Sequence, residues 1–296
     1  MDPNDTFSPQ GRIIDESFDR AYTKDCALCL LIRTNKLSYA VYDMARNKFV
    51  VHQSAYFQAA KESTSLAEIL REVKSVIAND EFLHLSFKQV HIGLGFSATA
   101  IIPMELFEED ERGAHLALHT ELDKDALVLS DEIKELDAVL EYAIPLPLYE
   151  YLQREFEDAQ ITHAQTGLLK AIKRKLKETE NVPDQFASVH IYQEGFTICY
   201  FAEGQLVLLN KFEFKSKEDF IYYIMLICEE LGINRDKAVF EFTGEIVEHS
   251  ALFEISLKYL RNVRLGSRPE NFSYGREIRE LPAQFHFNLF ALQPCE

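Results

Sequence analysis

Two stretches of this chain run through the same order of elements, and that repetition limits the fold more than any single motif. The first begins with Ala27–Arg33, Leu37–Asp43 and Phe49–Phe57, three apolar strand-length runs separated by polar turns. A helix follows, opened by Ser65 with Glu68 three residues on and carrying Leu66, Ile69, Leu70, Val73 and Ile77 at helical spacing. Gln89–Leu94 is the fourth strand. The second stretch repeats the pattern with Ala187–Tyr192, Thr197–Phe201 and Leu206–Phe214, then a helix opened by Ser216 and Asp219, then Ala238–Thr243. A three-stranded meander pairs antiparallel, and the helix permits a parallel crossover to the fourth strand. Two unrelated α/β domains are the rival account, and duplication explains more of the chain.

Between the repeats, Ala126–Ser130 and Ala138–Ile144 have strand character. The acidic run Glu108–Asp125 is expected to be helical or irregular. A helix is predicted over Leu148–Glu157, a short strand over Ile161–Gln165 and a basic helix over Leu168–Glu178. The turn Asn181-Val182-Pro183-Asp184 marks the division. This gives an extended lead-in over 1–24, a first domain over 25–182 and a second over 183–296. The second domain includes an aromatic tail around Phe285–Phe290, expected to dock on one domain or to present an exposed apolar patch.

Charge and cysteine content exclude several function classes. With 48 acidic against 31 basic side chains the net charge is -17, a surface that repels nucleic acid and anionic lipid. Five dispersed cysteines are not a disulfide framework. Cys26-Ala27-Leu28-Cys29 has the spacing of half a metal knuckle, but no second pair follows and the run is apolar, so core cysteines are expected. The N-terminus has no basic region leading into an apolar run, and no segment is long and apolar enough to span a membrane. A cytoplasmic protein without membrane insertion is expected. The denser basic concentration, Lys170, Lys173, Arg174, Lys175 and Lys177, is expected to pair with the chain's own acids, and a looser one, Arg261, Arg264, Arg268, Arg276 and Arg279, is a candidate recognition surface.

A meander, a helix and a fourth strand, repeated once, resembles the actin-like ATPase superfamily, which includes sugar kinases and heat-shock chaperones. In length and loops the chain is more similar to an uncharacterised bacterial family, found in Bacteroides and relatives, that is assigned this fold. The resemblance spans about residues 22–290. It implies an α/β fold of duplicated ribonuclease H-like domains, each a mixed five-stranded sheet with flanking helices, around an interdomain cleft.

In that superfamily, turns carrying an acid and glycines receive phosphate and metal. The matching turn of the first half here is Arg33-Thr34-Asn35-Lys36, where Thr34 and Lys36 are the candidate phosphate contacts and the expected Asp and Gly are missing. The second half offers Tyr192-Gln193-Glu194-Gly195, and Phe242-Thr243-Gly244-Glu245 stands where an adenosine-binding glycine pair belongs. Thr34, Lys36, Glu194, Gly195, Thr243 and Gly244 thus outline a degenerate nucleotide cleft. No catalytic or metal-binding residue is nominated, because several convergent backbone N–H groups and a metal-held phosphate are what phosphoryl transfer needs. The resemblance therefore implies a non-catalytic binding or assembly protein, holding a protein partner or small ligand in its cleft and no cofactor. The alternative is an atypical phosphotransferase or ATPase using ATP with Mg.

Overall fold

The computed structural model describes residues 11–57, 65–96, 98–193 and 195–294. Among these, one compact unit comprises residues 11–170, 271–280 and 288–294, and a second comprises 171–270 and 281–287.

The larger unit begins with β1 (Ile13–Ile14), β2 (Cys26–Ile32), β3 (Lys36–Asp43) and β4 (Lys48–Tyr56). Helix α1 (Leu66–Asn79) leads to β5 (Gln89–Leu94). Next come β6 (Thr99–Pro103), α2 (Ala114–Ala117), β7 (Ala126–Ile133), β8 (Ala138–Pro145) and α3 (Leu146–Glu155). They are followed by β9 (Gln160–His163) and α4 (Ala164–Glu178), within which the division between units falls. The core sheet runs β4-β3-β2-β5-β9, antiparallel through the meander and parallel from β2 through β5 to β9. Strands β6, β8 and β7 form a separate antiparallel sheet.

Helix α1 forms where its cap predicts. The Ser65 hydroxyl accepts the Glu68 N–H, and the Glu68 carboxylate accepts the Ser65 N–H at 2.8 Å, which satisfies two donors that a helix start otherwise leaves open. Ile69, Val73 and Ile77 then bury one stripe against Leu28, Leu30 and Ile32 of β2 and their neighbours.

The smaller unit repeats the plan with β10 (Gln185–Tyr192), β11 (Gly195–Ala202), β12 (Gln205–Glu213), α5 (Lys217–Glu230), β13 (Val239–Gly244), α6 (Ala251–Tyr259) and β14 (Asn262–Leu265). Its sheet order, β12-β11-β10-β13-β14, reproduces the larger unit's core order strand for strand. The correspondence reaches single residues. Strands β3 and β11 both have 8 residues, β4 and β12 both have 9, and α1 and α5 both have 14. In β4 the ladder passes from Val51 to Phe49, leaving Val50 as an extra residue, and in β12 it passes from Leu208 to Leu206, leaving Val207. A bulge at the same third position of the same strand is specific to a shared backbone plan.

The tail contributes β15 (Ser273–Tyr274), α7 (Arg276–Arg279) and the single-turn α8 (Phe287–Phe290). Strand β15 pairs with the start of β4, and β1 pairs with its middle, so the larger unit's sheet exceeds the five strands expected. Phe272, Tyr274, Leu289, Phe290 and Leu292 pack on Ala27, Cys29, Leu31 and Phe49, the second face of that sheet. Phe285, Phe287, Leu289 and Phe290 are all at most 3 % exposed, so the aromatic tail is core and not the exposed patch entertained from sequence. Helix α4 begins four residues earlier than predicted, at Ala164 instead of Leu168, and the preceding strand stops at His163.

Candidate nucleotide-site turns

In an open α/β sheet, ligands sit beyond the carboxyl ends of the parallel strands. In the larger unit those ends are Ile32, Leu94 and His163. The first carries the 33–36 turn, which is a closed hairpin: the Arg33 N–H donates to the Lys36 carbonyl at 2.9 Å. The Asn35 carbonyl accepts the Phe57 N–H at 2.8 Å, and the Ile32 carbonyl accepts the Gly95 N–H at 2.9 Å. Lys36 belongs to β3, 6 % exposed, with its ammonium 5.4 Å from the centre of the Tyr56 ring. Thr34 is half-buried at the tip. Gly95 packs closely on the Arg33 side chain, whose Cγ would lie 3.2 Å from an added Cβ.

At the third of these ends a buried polar cluster escaped the sequence reading. Asp131 of β7 accepts the His163 N–H at 2.8 Å and the Thr166 hydroxyl at 2.6 Å on one oxygen, and the Tyr142 hydroxyl at 3.1 Å on the other. Burial pushes the Asp131 carboxyl above its ordinary value, against the opposing pull of those three bonds and of Lys170. The predicted strand stopped at Ser130, one residue short of it; the alternation of Leu127, Leu129 and Asp131 was the available signal. Beside it the Thr99 hydroxyl donates to Gln165 Oε1 at 2.8 Å.

In the smaller unit the carboxyl ends are Tyr192, Gly244 and Leu265. Gly195 pairs directly with Tyr192, and an added Cβ there would lie 2.2 Å from the Phe212 carbonyl oxygen. Its glycine is therefore demanded by the close approach of β11 and β12. Glu194 lies outside the described residues. Thr243 is 1 % exposed, with Oγ1 3.0 Å from His190 Nδ1.

Gly244 takes φ +85, a left-handed conformation that suits glycine, and an added Cβ would fall 2.0 Å from the Ile191 oxygen. The N–H groups of this turn are all engaged within the unit. Gly244 donates to the Gln284 carbonyl at 2.8 Å, Glu245 to the Ile191 carbonyl at 2.8 Å, and Ile246 to the Gly244 carbonyl at 2.9 Å. The Gln284 side chain also donates to the Ile246 carbonyl at 2.6 Å. A backbone cradle for an anion needs N–H groups converging on open space, and here the tail takes that of Gly244 while Ile191 and Gly244 carbonyls take the other two.

The basic helix is partly spent on the same unit's interior. Lys175 reaches both oxygens of Glu241, at 2.7 and 2.8 Å, and Arg264 Nε reaches Oε2 at 3.0 Å. Lys173 donates to the Gly204 carbonyl. Cys26 and Cys29 are buried in β2, and among the described residues no group of three or more His, Cys, Asp or Glu side chains is placed to hold a metal ion.

Two repeated sheets of this order, each with its capped crossover helix, constitute the actin-like ATPase fold. A solved Bacteroides thetaiotaomicron protein with that fold and unknown function superposes with a TM-score of 0.77 at 22% identity, covering 94% of this chain and 99% of that one. The PilM–PilN type IV pilus biogenesis complex matches with a TM-score of 0.58 at 12% identity, covering 90% of this chain and 99% of that one. The chain belongs to the family described as protein of unknown function DUF3822, whose model matches residues 15–263. No curated protein matches it.

Proposed function

We propose that this protein is a non-catalytic, cytoplasmic member of the actin-like class, acting by binding or assembly with a protein partner at the expense of nucleotide turnover. The observation that carries this reading is the Gly244 turn, whose three successive N–H groups are taken by Gln284, Ile191 and Gly244 carbonyls. The closed 33–36 hairpin supports it, since Lys36 is drawn into a strand beside Tyr56. Gly195 supports it as well, because its lack of a side chain is explained by packing against Phe212. The likeness to PilM, solved in complex with PilN, is consistent with a protein partner. No transmembrane-length apolar helix occurs among the described residues, which is compatible with the proposed location.

Calorimetric titration with Mg-ATP and Mg-ADP tests the reading. The expected result is no heat of binding up to millimolar nucleotide. Micromolar binding with measurable hydrolysis would overturn it in favour of an atypical ATPase.

A further inference from the structure

The two capped helices of the repeat differ on their outer faces. Their capping boxes match Ser65 to Ser216 and their lengths are equal, so α1 and α5 correspond residue by residue. Inward positions agree: Ile69, Val73 and Ile77 of α1 and Phe220, Ile224 and Cys228 of α5 are all buried. Outward positions do not. Arg71, Glu72, Lys74 and Ser75 of α1 are matched by Tyr222, Tyr223, Met225 and Leu226 of α5. A helix that is apolar all round belongs in an interior, yet Tyr222 is 60 % exposed and Met225 and Leu226 are only half-buried. Tyr222 and Leu226 stand about one turn apart on a single stripe. Tyr223 anchors its edge, with its ring stacked on Phe212 at 4.9 Å and set edge-on to Tyr222 at 5.5 Å. An exposed apolar stripe of this kind marks a surface that another molecule covers.

Charge identifies what covers it. Exposed acids close the stripe at both ends, Glu218 before Tyr222 and Glu229 with Glu230 after Leu226. Glu218 has Lys217 beside it at 4.0 Å, and Arg235 meets the stripe midway, donating to Met225 Sδ at 3.8 Å. Glu229 and Glu230 lie in the last turn, where the helix carbonyls add to the negative potential. A second copy fits this surface poorly. Antiparallel pairing of two such helices sets Glu218 of each toward Glu229 and Glu230 of the other, and parallel pairing sets each acid against its own copy. A basic, partly apolar segment satisfies both features, because its apolar groups cover Tyr222 and Leu226 while its cations meet Glu229 and Glu230. We propose that the outer face of α5 is a docking surface for a protein segment carrying two apolar side chains at helical spacing beside a cluster of Lys or Arg, the cluster lying over Glu229 and Glu230. This surface gives the binding role proposed above a kind of partner and rests on that role. Nucleotide titration decides the role and peptide binding decides the surface, so each can fail alone.

Fluorescence anisotropy with the full chain tests this, using two labelled synthetic helices as probes, one of Leu and Lys and one of Leu and Glu at the same spacing. Saturable binding of the Leu/Lys peptide is expected at micromolar concentration, and none of the Leu/Glu peptide. Tyr222→Ser combined with Leu226→Ser leaves the net charge unchanged and should weaken binding about tenfold or more. Glu229→Lys combined with Glu230→Lys should do the same. Glu108→Lys with Glu111→Lys, an equal charge change at exposed positions of the larger unit, should leave binding within about twofold. Circular dichroism and unfolding midpoints check that each variant is folded, and the exposed Glu229 and Glu230 can be changed without disturbing the core even if loss of Leu226 does so. Binding that survives the Tyr222/Leu226 variant, an equal response to the two charge variants, capture of the Leu/Glu peptide, or no saturable binding below millimolar peptide would each overturn the proposal. So would a dimer, or attachment to anionic vesicles, that the Tyr222/Leu226 variant abolishes.

Discussion

Gln284 holds the Gly244 turn from both ends: its carbonyl accepts the Gly244 N–H at 2.8 Å and its side-chain amide donates to Ile246 at 2.6 Å. The two residues are far apart in sequence, so the turn depends on the tail being in place. Gln284 is 5 % exposed, and truncating it leaves the Ile246 carbonyl without this donor. Gln284→Ala should cost about 1–3 kcal/mol in urea unfolding. An unchanged midpoint would show that the turn stands without the tail.

Two glycines with similar backbone angles should respond differently to alanine. Gly244 (φ +85) would place its Cβ 2.0 Å from the Ile191 oxygen, whereas Gly204 (φ +74) meets nothing within 4 Å. Gly204→Ala suffers the conformational penalty alone, about 1–2 kcal/mol. Gly244→Ala adds a backbone collision that no rotamer relieves, and should cost at least about 3 kcal/mol. Equal unfolding free energies for the two variants would contradict the close approach of Gly244 to β10.

The repeated strands and capped helices were legible because each is signalled locally, by apolar runs between polar turns and by Ser65/Glu68 and Ser216/Asp219. The start of α4 was not. Ala164-Gln165-Thr166-Gly167 is a poor helix opening by composition, and Gly167 is there because a Cβ would fall 2.7 Å from the Ala291 oxygen of the tail. That demand is tertiary and leaves no local trace. The site divides along the same line. The 243–245 stretch was recognisable as a turn, while the engagement of the Gly244 N–H required Gln284 to be brought alongside. Asp131 was missed because its partners lie on β8, β9 and α4, far from it in sequence.

Asp15 joins the beginning of the larger unit to its tail. It accepts Lys48 Nζ at 2.8 Å and the Arg276 N–H at 2.9 Å, together with the backbone N–H and hydroxyl of Ser17. Burial opposes its ionisation, but the bonds from Lys48, Ser17 and Arg276 outweigh it and hold the carboxyl well below the usual range. An unfolded aspartate titrates near about 3.9, so the folded group binds fewer protons than the unfolded one. Its stabilisation is therefore complete above about pH 4 and fades as the pH falls below that. Asp15→Asn should cost about 2 kcal/mol at neutral pH, and the gap between variant and parent should narrow in acid. A gap that stays constant from pH 7 to pH 3 would refute the linkage.

Glu241 is 3 % exposed and takes its charge compensation chiefly from Lys175, since Arg264 remains half in solvent. Removing one partner of a buried pair leaves the other charge uncompensated, at a cost of about 3–5 kcal/mol, while replacing both by apolar groups of similar volume is often neutral. Lys175 is partly exposed, which moderates the penalty. Glu241→Met should therefore destabilise by about 2–3 kcal/mol, and adding Lys175→Met should recover more than half of the loss. Arg264→Ala should cost under about 1 kcal/mol. Strict additivity of the two methionine substitutions in a double-mutant cycle would show that the pair is not coupled.

The thiols report on both cores at once. Burial lifts Cys29 and Cys199 far above the ordinary thiol value, and lifts Cys228 up to about 11. It does the same for Cys26, to about 11, assisted by Asp43 and Asp25. A thiol must ionise to attack an alkylating reagent, so at neutral pH these four groups lack both access and charge. With Cys295, outside the described residues, replaced by serine, native alkylation by iodoacetamide should run on the order of a hundredfold or more below the rate for the unfolded chain. Denaturant should release the thiols in pairs with each unit's unfolding transition, Cys26 with Cys29 and Cys199 with Cys228. Rapid native labelling of Cys29, which lies in β2 beneath the tail and 3.7 Å from Gln293 Oε1, would mean that the tail opens far below the global unfolding free energy.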